Sequence, residues 1–211
     1  MGSGDSPDLA SASAHRFAAP VASTAGHRTL CYSPGSMAGA VENPFEGLRL
    51  GETPEVFPVS RSEDAQAAAL ALTRQARRTI EIMSRHLDPR LYDTAELAEA
   101  IKQLALGSHR AQVRILVQDV DPLLRDGHRL LALAQRLPTF IQIRVPAPPF
   151  REFNQAFLVA DETGYLHRHF ADRFEGDVCF HGPAAARELL RLFEPMWESA
   201  EPDPSLRALR I

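Results

Sequence analysis

From residue 62 to residue 199 the apolar positions follow two alternating rhythms, a helical stripe and a two-residue alternation. Ser62-Glu63-Asp64 opens a helix that Ala68, Leu72, Gln75 and Ala76 carry on to Arg78. Thr79–Ser84 (TIEIMS) then alternates apolar with polar and holds two β-branched isoleucines, which predicts a strand. Asp93-Thr94 offers an N-cap, with Glu96 as a capping-box partner. The stripe Leu97, Ala100, Ile101, Leu104 and Ala105 follows, closed by Gly107. A second strand spans 112–118 (QVRILVQ), a helix runs from Asp126 to Leu137 with Pro138 as its stop, and a third strand spans 140–145 (FIQIRV). Prolines 146, 148 and 149 stiffen the next loop. Ala156–Ala160 and Tyr165–Arg168 read as a hairpin joined by Asp161-Glu162-Thr163-Gly164, and Val178–Phe180 as an edge strand. The last helix, Ala184–Ser199, carries Leu189, Leu190, Phe193 and Trp197, with Pro195 placed to kink or restart it. Strands separated by crossover helices predict an α/β fold: a mixed, largely parallel sheet flanked by helices on both faces.

Composition adds boundaries. Residues 1–54 are dominated by Ser, Ala, Gly and Pro and cannot bury enough apolar surface to offset their ordering entropy, so they are expected to be disordered. One domain is expected over 55–201, with 202–211 as a tail. At 45% hydrophobic and 24% charged residues the chain matches an ordinary globular protein, and no apolar run is long enough to cross a bilayer. The N-terminus has no secretory pattern, which places the chain in the cytoplasm by default. Cys31 and Cys179 lie in unlike surroundings and read as two reduced thiols. A formal net charge of −4 offers no general electrostatic reason to bind nucleic acid or anionic lipid. Arg74, Arg77 and Arg78 form a local basic cluster, read as a solvated face diluted by Glu63, Asp64 and Glu81.

The succession around Ile80-Glu81-Ile82 and Gln112-Val113-Arg114-Ile115-Leu116-Val117, followed by a third strand and a hairpin, resembles a phospholipase D-type domain over residues 77–177. The phrases Ser84-Arg85-His86-Leu87-Asp88-Pro89, Gly164-Tyr165-Leu166 and Met196-Trp197-Glu198-x-Ala200-Glu201-Pro202-Asp203 resemble more closely an uncharacterised proteobacterial domain family. That family occurs alone or behind acetyltransferase domains. The superfamily's catalytic signature is His-x-Lys-x-x-x-x-Asp before the hairpin turn, where the His attacks phosphorus and the Lys stabilises charge on the phosphoryl oxygens. The corresponding positions here are Asn154, Ala156 and Asp161. An amide is a poor nucleophile and Ala offers no donor, so the resemblance implies a degenerate, non-catalytic branch. Asp161 alone is explained by turn chemistry.

Further candidates surround this motif. Arg85 and His86 follow the first strand at its carboxyl end, where α/β sheets place ligands, and with Asp161 and His167 they are the candidate lining of one cleft. His167 and His169 sit two apart, near Asp172, Asp177 and His181, although their spacing is not a recognised metal framework. His128 at a helix start reads as a surface or capping residue. The expected function is therefore a non-catalytic binding or regulatory module, with no metal and no cofactor. Its expected partner is an unidentified protein or small molecule, with a homodimer implied by analogy and neither a membrane nor nucleic acid expected. The alternative is a metal-assisted hydrolase or phosphodiesterase rewired around Asp161 and His167/His169, which requires those side chains to converge.

Overall fold

The computed structural model describes residues 44–201 and 203–206. The expectations of disorder over residues 1–43 and of a reduced Cys31 fall outside that range. Seven strands make one sheet: β1 (Val56–Val59), β2 (Thr79–Ser84), β3 (Gln112–Val117), β4 (Ile141–Arg144), β5 (Ala156–Ala160), β6 (Gly164–Arg168) and β7 (Gly176–Cys179). The helices are α1 (Ser62–Gln75), α2 (Pro89–Tyr92), α3 (Ala95–Gly107), α4 (Asp121–Asp126), α5 (Arg129–Arg136) and α6 (Pro183–Glu198). The spatial order is β1-β7-β6-β5-β2-β3-β4.

The sheet is mostly antiparallel, which corrects the largely parallel expectation. Only β2·β3 and β3·β4 are parallel, with Ile80 opposite Val113 and Ile115 opposite Ile143. Those are the pairs whose connections carry crossover helices. β5, β6 and β7 follow one another through tight links, which permit only antiparallel pairing. Strand β1 was not read from the sequence; it is a four-residue edge strand with Pro58 inside it, and proline in a strand is confined to edges. The helix expected from Asp126 to Leu137 is two helices, α4 and α5, because Gly127 takes a positive φ of 77° between them. Residues 44–54, compositionally part of the N-terminal segment, already pack on the domain: Phe45 is buried and the Gly51 N–H donates to the Phe180 carbonyl at 2.8 Å.

The stripes do what their periodicity predicts. Thr94 Oγ1 accepts from the Leu97 N–H at 3.2 Å, capping α3, whose Leu97, Ala100, Ile101, Leu104 and Ala105 are all buried. On that side of the sheet α1, α3 and α5 cover Ile80, Ile82, Ile115 and Leu158. On the other side α6 covers Met83, Leu116, Phe157, Val159 and Tyr165 with Leu189, Phe193, Met196 and Trp197. Phe193 and Trp197 stack at 5.6 Å between centroids, and the Arg144 guanidinium lies 4.2 Å over the Trp197 ring. α6 continues through Pro195.

A charged triad is built into the α6 side. Glu81, 1% exposed in the middle of β2, meets Arg114 at 3.1 Å, and Arg114 also holds Glu194 at 2.7 Å. Burial pushes the Glu81 carboxyl up to about 7 despite the guanidinium beside it. At the β4 edge the chain returns to blunt its own strand. The Val145 N–H donates to the Glu201 carbonyl at 3.3 Å, and the buried Leu206 accepts at its carbonyl from Gln135 Nε2 at 3.0 Å.

Candidate functional site

The first site to test is the carboxyl edge of β2 and β3. Past Ser84 the chain turns sharply: Leu87 takes a φ of 51°, and its N–H donates to Ser84 Oγ at 3.1 Å. This turn presents Arg85 and His86. Arg85 Nη2 donates to Asn154 Oδ1 at 2.9 Å, and His86 Nδ1 lies 3.3 Å from Asp119 Oδ2. Gln118 donates through Nε2 to the Phe150 and Phe153 carbonyls at 3.2 and 2.7 Å, tying down the proline loop that delivers Asn154.

Asn154, at the position of the nucleophile in the resemblance, is thus an exposed amide occupied by a neighbouring guanidinium. Ala156, at the position of the lysine, is fully buried at 0% exposure inside β5. The residue opposite it on β6 is Arg168, itself only 2% exposed. The Arg168 guanidinium lies 5.4 Å from the Phe174 ring and donates to the Ala171 carbonyl at 3.3 Å. It is a packing element, out of reach of any ligand.

Asp161 lies at the other end of β5, not in the expected cleft. Asp161 and Glu162, with φ of 50° and 55°, are the two left-handed centres of a tight hairpin turn, and the Thr163 N–H closes it on the Ala160 carbonyl at 3.0 Å. The Asp161 carboxylate accepts three backbone N–H groups, from Arg77 (2.8 Å), Arg78 (2.7 Å) and Thr79 (2.9 Å). It clamps the hairpin to the junction of α1 and β2.

His167 pairs with Phe157, so it lies four residues back along the strand from Asp161, about 13 Å away. It reaches Gln155 at 3.1 Å and faces His169 at 4.9 Å between ring centroids, while His169 meets Asp177 at 3.1 Å. Burial, reinforced by neighbouring His169, pushes His167 down to about 4, so it is neutral at physiological pH. The convergence that the rewired enzyme requires is absent, because Asp161 and the histidines occupy opposite ends of the strand. Among the described residues no three His, Cys, Asp or Glu side chains are placed to hold a metal ion. Nor do Arg85, His86, Asp161 and His167 line one cleft: the first two stay with Asn154 at the carboxyl edge, while Asp161 is bound elsewhere. His128 caps α5, its Nδ1 accepting from the Leu130 N–H at 3.1 Å.

What the sequence reading missed lies at the opposite, amino edge. Glu63 and Asp64 sit at the start of α1, where Asp64 pairs with Arg61, and Glu81 is buried on Arg114. None of the three dilutes Arg74, Arg77 and Arg78 at the far end of α1. The placement of Arg78 one residue before β2 and of Arg110 two residues before its parallel neighbour β3 was the signal that could have joined them.

The fold is that of an α/β domain whose mixed sheet is covered by helices on both faces. The chain belongs to the family described as a domain of unknown function, DUF7931, which matches residues 61–209. No curated protein matches the sequence. Among solved structures it is similar to TrmBL2, an archaeal chromatin protein with a novel mode of DNA binding, at a TM-score of 0.53 and 15% identity over 76% of this chain. The chain spans 58% of TrmBL2's length. It is also similar to Nuc from Salmonella typhimurium, a phospholipase D family member, at a TM-score of 0.50 and 16% identity, covering 70% of this chain and 97% of Nuc. The expectation against nucleic acid is overturned: a protein sharing this fold binds DNA, so net charge alone cannot set that partner aside. Among the described residues no helix is long and apolar enough to cross a membrane.

Proposed function

We propose that this domain is a non-catalytic phospholipase D-like module that binds nucleic acid without cleaving it. The observation that carries the reading is Ala156, sealed in β5 at 0% exposure where the resemblance calls for a lysine on the phosphoryl oxygens. A companion change supports it. Asn154 stands where the attacking imidazole would be, and its amide oxygen is taken by Arg85. With neither nucleophile nor transition-state cation, the two largest contributions to phosphodiester cleavage are missing together. The similarity to TrmBL2 supports the choice of ligand by fold, and the binding surface is a separate question.

The test measures two things on the full chain. Hydrolysis of bis(p-nitrophenyl) phosphate and of plasmid DNA is expected to stay at the buffer rate. Anisotropy of a labelled 20-base-pair duplex is expected to rise with protein at low salt. Turnover that the substitution Asn154→Ala abolishes overturns the non-catalytic reading, and a flat anisotropy curve at low salt overturns the ligand.

A further inference from the structure

The two ends of the sheet treat their cations differently. At the carboxyl edge several positive groups lie beside a polar partner, although the exposed Arg151 enters no ion pair among the described residues. Arg85 is held by Asn154, His86 by Asp119, Arg125 by Asp126, and Arg173 lies 3.9 Å from Glu175. The carboxylate pairs reduce the net field there, although the neutral Asn154 amide leaves the charge of Arg85 in place.

The amino edge is the reverse. Arg74 lies in the last turn of α1, Arg77 and Arg78 lead into β2, and His109 and Arg110 lead into β3; all five side chains are exposed. Among the described residues none of them enters an ion pair. They are close together by topology. Because β2 and β3 are parallel neighbours, with Thr79 opposite Gln112, the segments that lead into them run side by side about 5 Å apart in the sheet direction, Arg78 one residue before β2 and Arg110 two residues before β3. The Gln112 N–H donates to the Arg78 carbonyl at 2.9 Å, and the turn before it is set by Arg110 and Ala111 N–H groups on Ser108. α1 and α3 both precede these strands and run side by side, so Arg74 and Arg77 share a groove of about 850 Å³ with Gln103, Leu104 and Gly107. The acidic groups nearby are Asp161, Glu99, Glu96 and Glu162, of which the first two are hydrogen-bonded. Asp161 spends its carboxylate on the three backbone N–H groups, Glu99 is held by Lys102 and Gln103, Glu96 lines the far part of the groove, and Glu162 on the hairpin turn is exposed.

We infer that this amino edge, through Arg74, Arg77, Arg78 and Arg110, is the surface that receives the phosphate backbone of nucleic acid. The inference rests on the nucleic-acid reading above and places the contact at the end of the sheet opposite the degenerate motif. Arginine suits the role: its planar fork donates two parallel hydrogen bonds to phosphate oxygens and it stays charged. Asp161 clamps the backbone of Arg77 and Arg78, so the edge that carries them need not order on binding.

The experiment is anisotropy with the full chain and a labelled 20-base-pair duplex between 50 and 200 mM salt. Four phosphate contacts give a slope of log affinity against log salt of about −3.6, an affinity loss of about 150-fold across that range. The double substitution Arg78→Gln/Arg110→Gln removes two of them, so the slope should fall to about −1.8 and the loss to about 12-fold. The side chains are exposed, so the urea midpoint should not move. An unchanged slope in this variant, with binding instead lost in Arg85→Ala, overturns the inference while leaving the nucleic-acid reading standing. No binding by the wild-type chain at 50 mM salt overturns both. Preference for anionic vesicles over the duplex overturns the choice of partner.

Discussion

Replacing Asp161 separates a structural account of that residue from a chemical one. Its carboxylate accepts three N–H groups at 2.7 to 2.9 Å, those of Arg77 and Arg78 exposed and that of Thr79 partly buried. Hydrogen bonds to a charged group are worth about 1.5–3 kcal/mol each when shielded. Water replaces much of the two exposed ones, so roughly 2 kcal/mol remains for the set. Asp161 also holds a φ of 50°, which Asp tolerates and Ala adopts at a cost of about 1 kcal/mol. Asp161→Ala is therefore expected to cost about 3 kcal/mol. For a domain of this size that lowers the melting temperature by about 6–12 °C. Asp161→Asn keeps one acceptor oxygen and the tolerance for the turn, so it should lose about half as much.

The assay is urea unfolding followed by far-ultraviolet circular dichroism, with the slope against urea fitted for each variant. A shifted midpoint at constant slope reports stability alone. If Asp161→Ala stays within about 0.5 kcal/mol of wild type, the clamp is not what holds the hairpin to α1 and β2. A residue kept purely for chemistry would give that neutral result, or even a stability gain.

The raised Glu81 stabilises the native state below its unfolded value of 4.5, and that stability is lost as pH rises through about 7; the depressed His167 stabilises above 6.5 and loses that as pH falls through about 4. The two slopes oppose each other between pH 4.5 and 6.5, so each partly offsets the other in the wild-type urea midpoint. Glu81→Gln should make it rise with pH and His167→Gln should make it fall; matching profiles in all three proteins would refute the assignment. A methyl group at Gly176 would meet the His167 carbonyl oxygen at 2.0 Å, so Gly176→Ala should destabilise by more than about 2 kcal/mol, read from the same urea midpoint.

Local patterns were legible where one rhythm ran long enough. The alternation TIEIMS is β2 residue for residue, and the stripe from Leu97 to Ala105 is the buried face of α3. What escaped was decided by tertiary context or a single backbone angle. β1 is too short and too interrupted by Pro58 to show alternation, and its pairing with β7 comes from far along the chain. The break between α4 and α5 turns on Gly127, inside a pattern apolar enough to suggest one helix. The candidate site was partly readable. A turn opened by Asp161 must bring His167 back along β6, so the hairpin's own geometry already separates them. The pairing of Glu81 with Arg114 and Glu194 was not readable, because it depends on α6 crossing β2 and β3 from the far side.

Of the three motif positions, the retained residue is the one whose present contacts are architectural. Asn154 and Ala156 could each change without unseating a strand, one being an exposed amide before β5 and the other a small buried side chain within it. Asp161 could not change so cheaply, because three backbone N–H groups and a left-handed turn converge on it. On the proposed reading, selection that relaxed on catalysis would still act on this carboxylate. The same clamp fixes the backbone of Arg77 and Arg78 at the amino edge, so on that reading Asp161 is a positioning residue for the proposed binding surface at the other end of the strand.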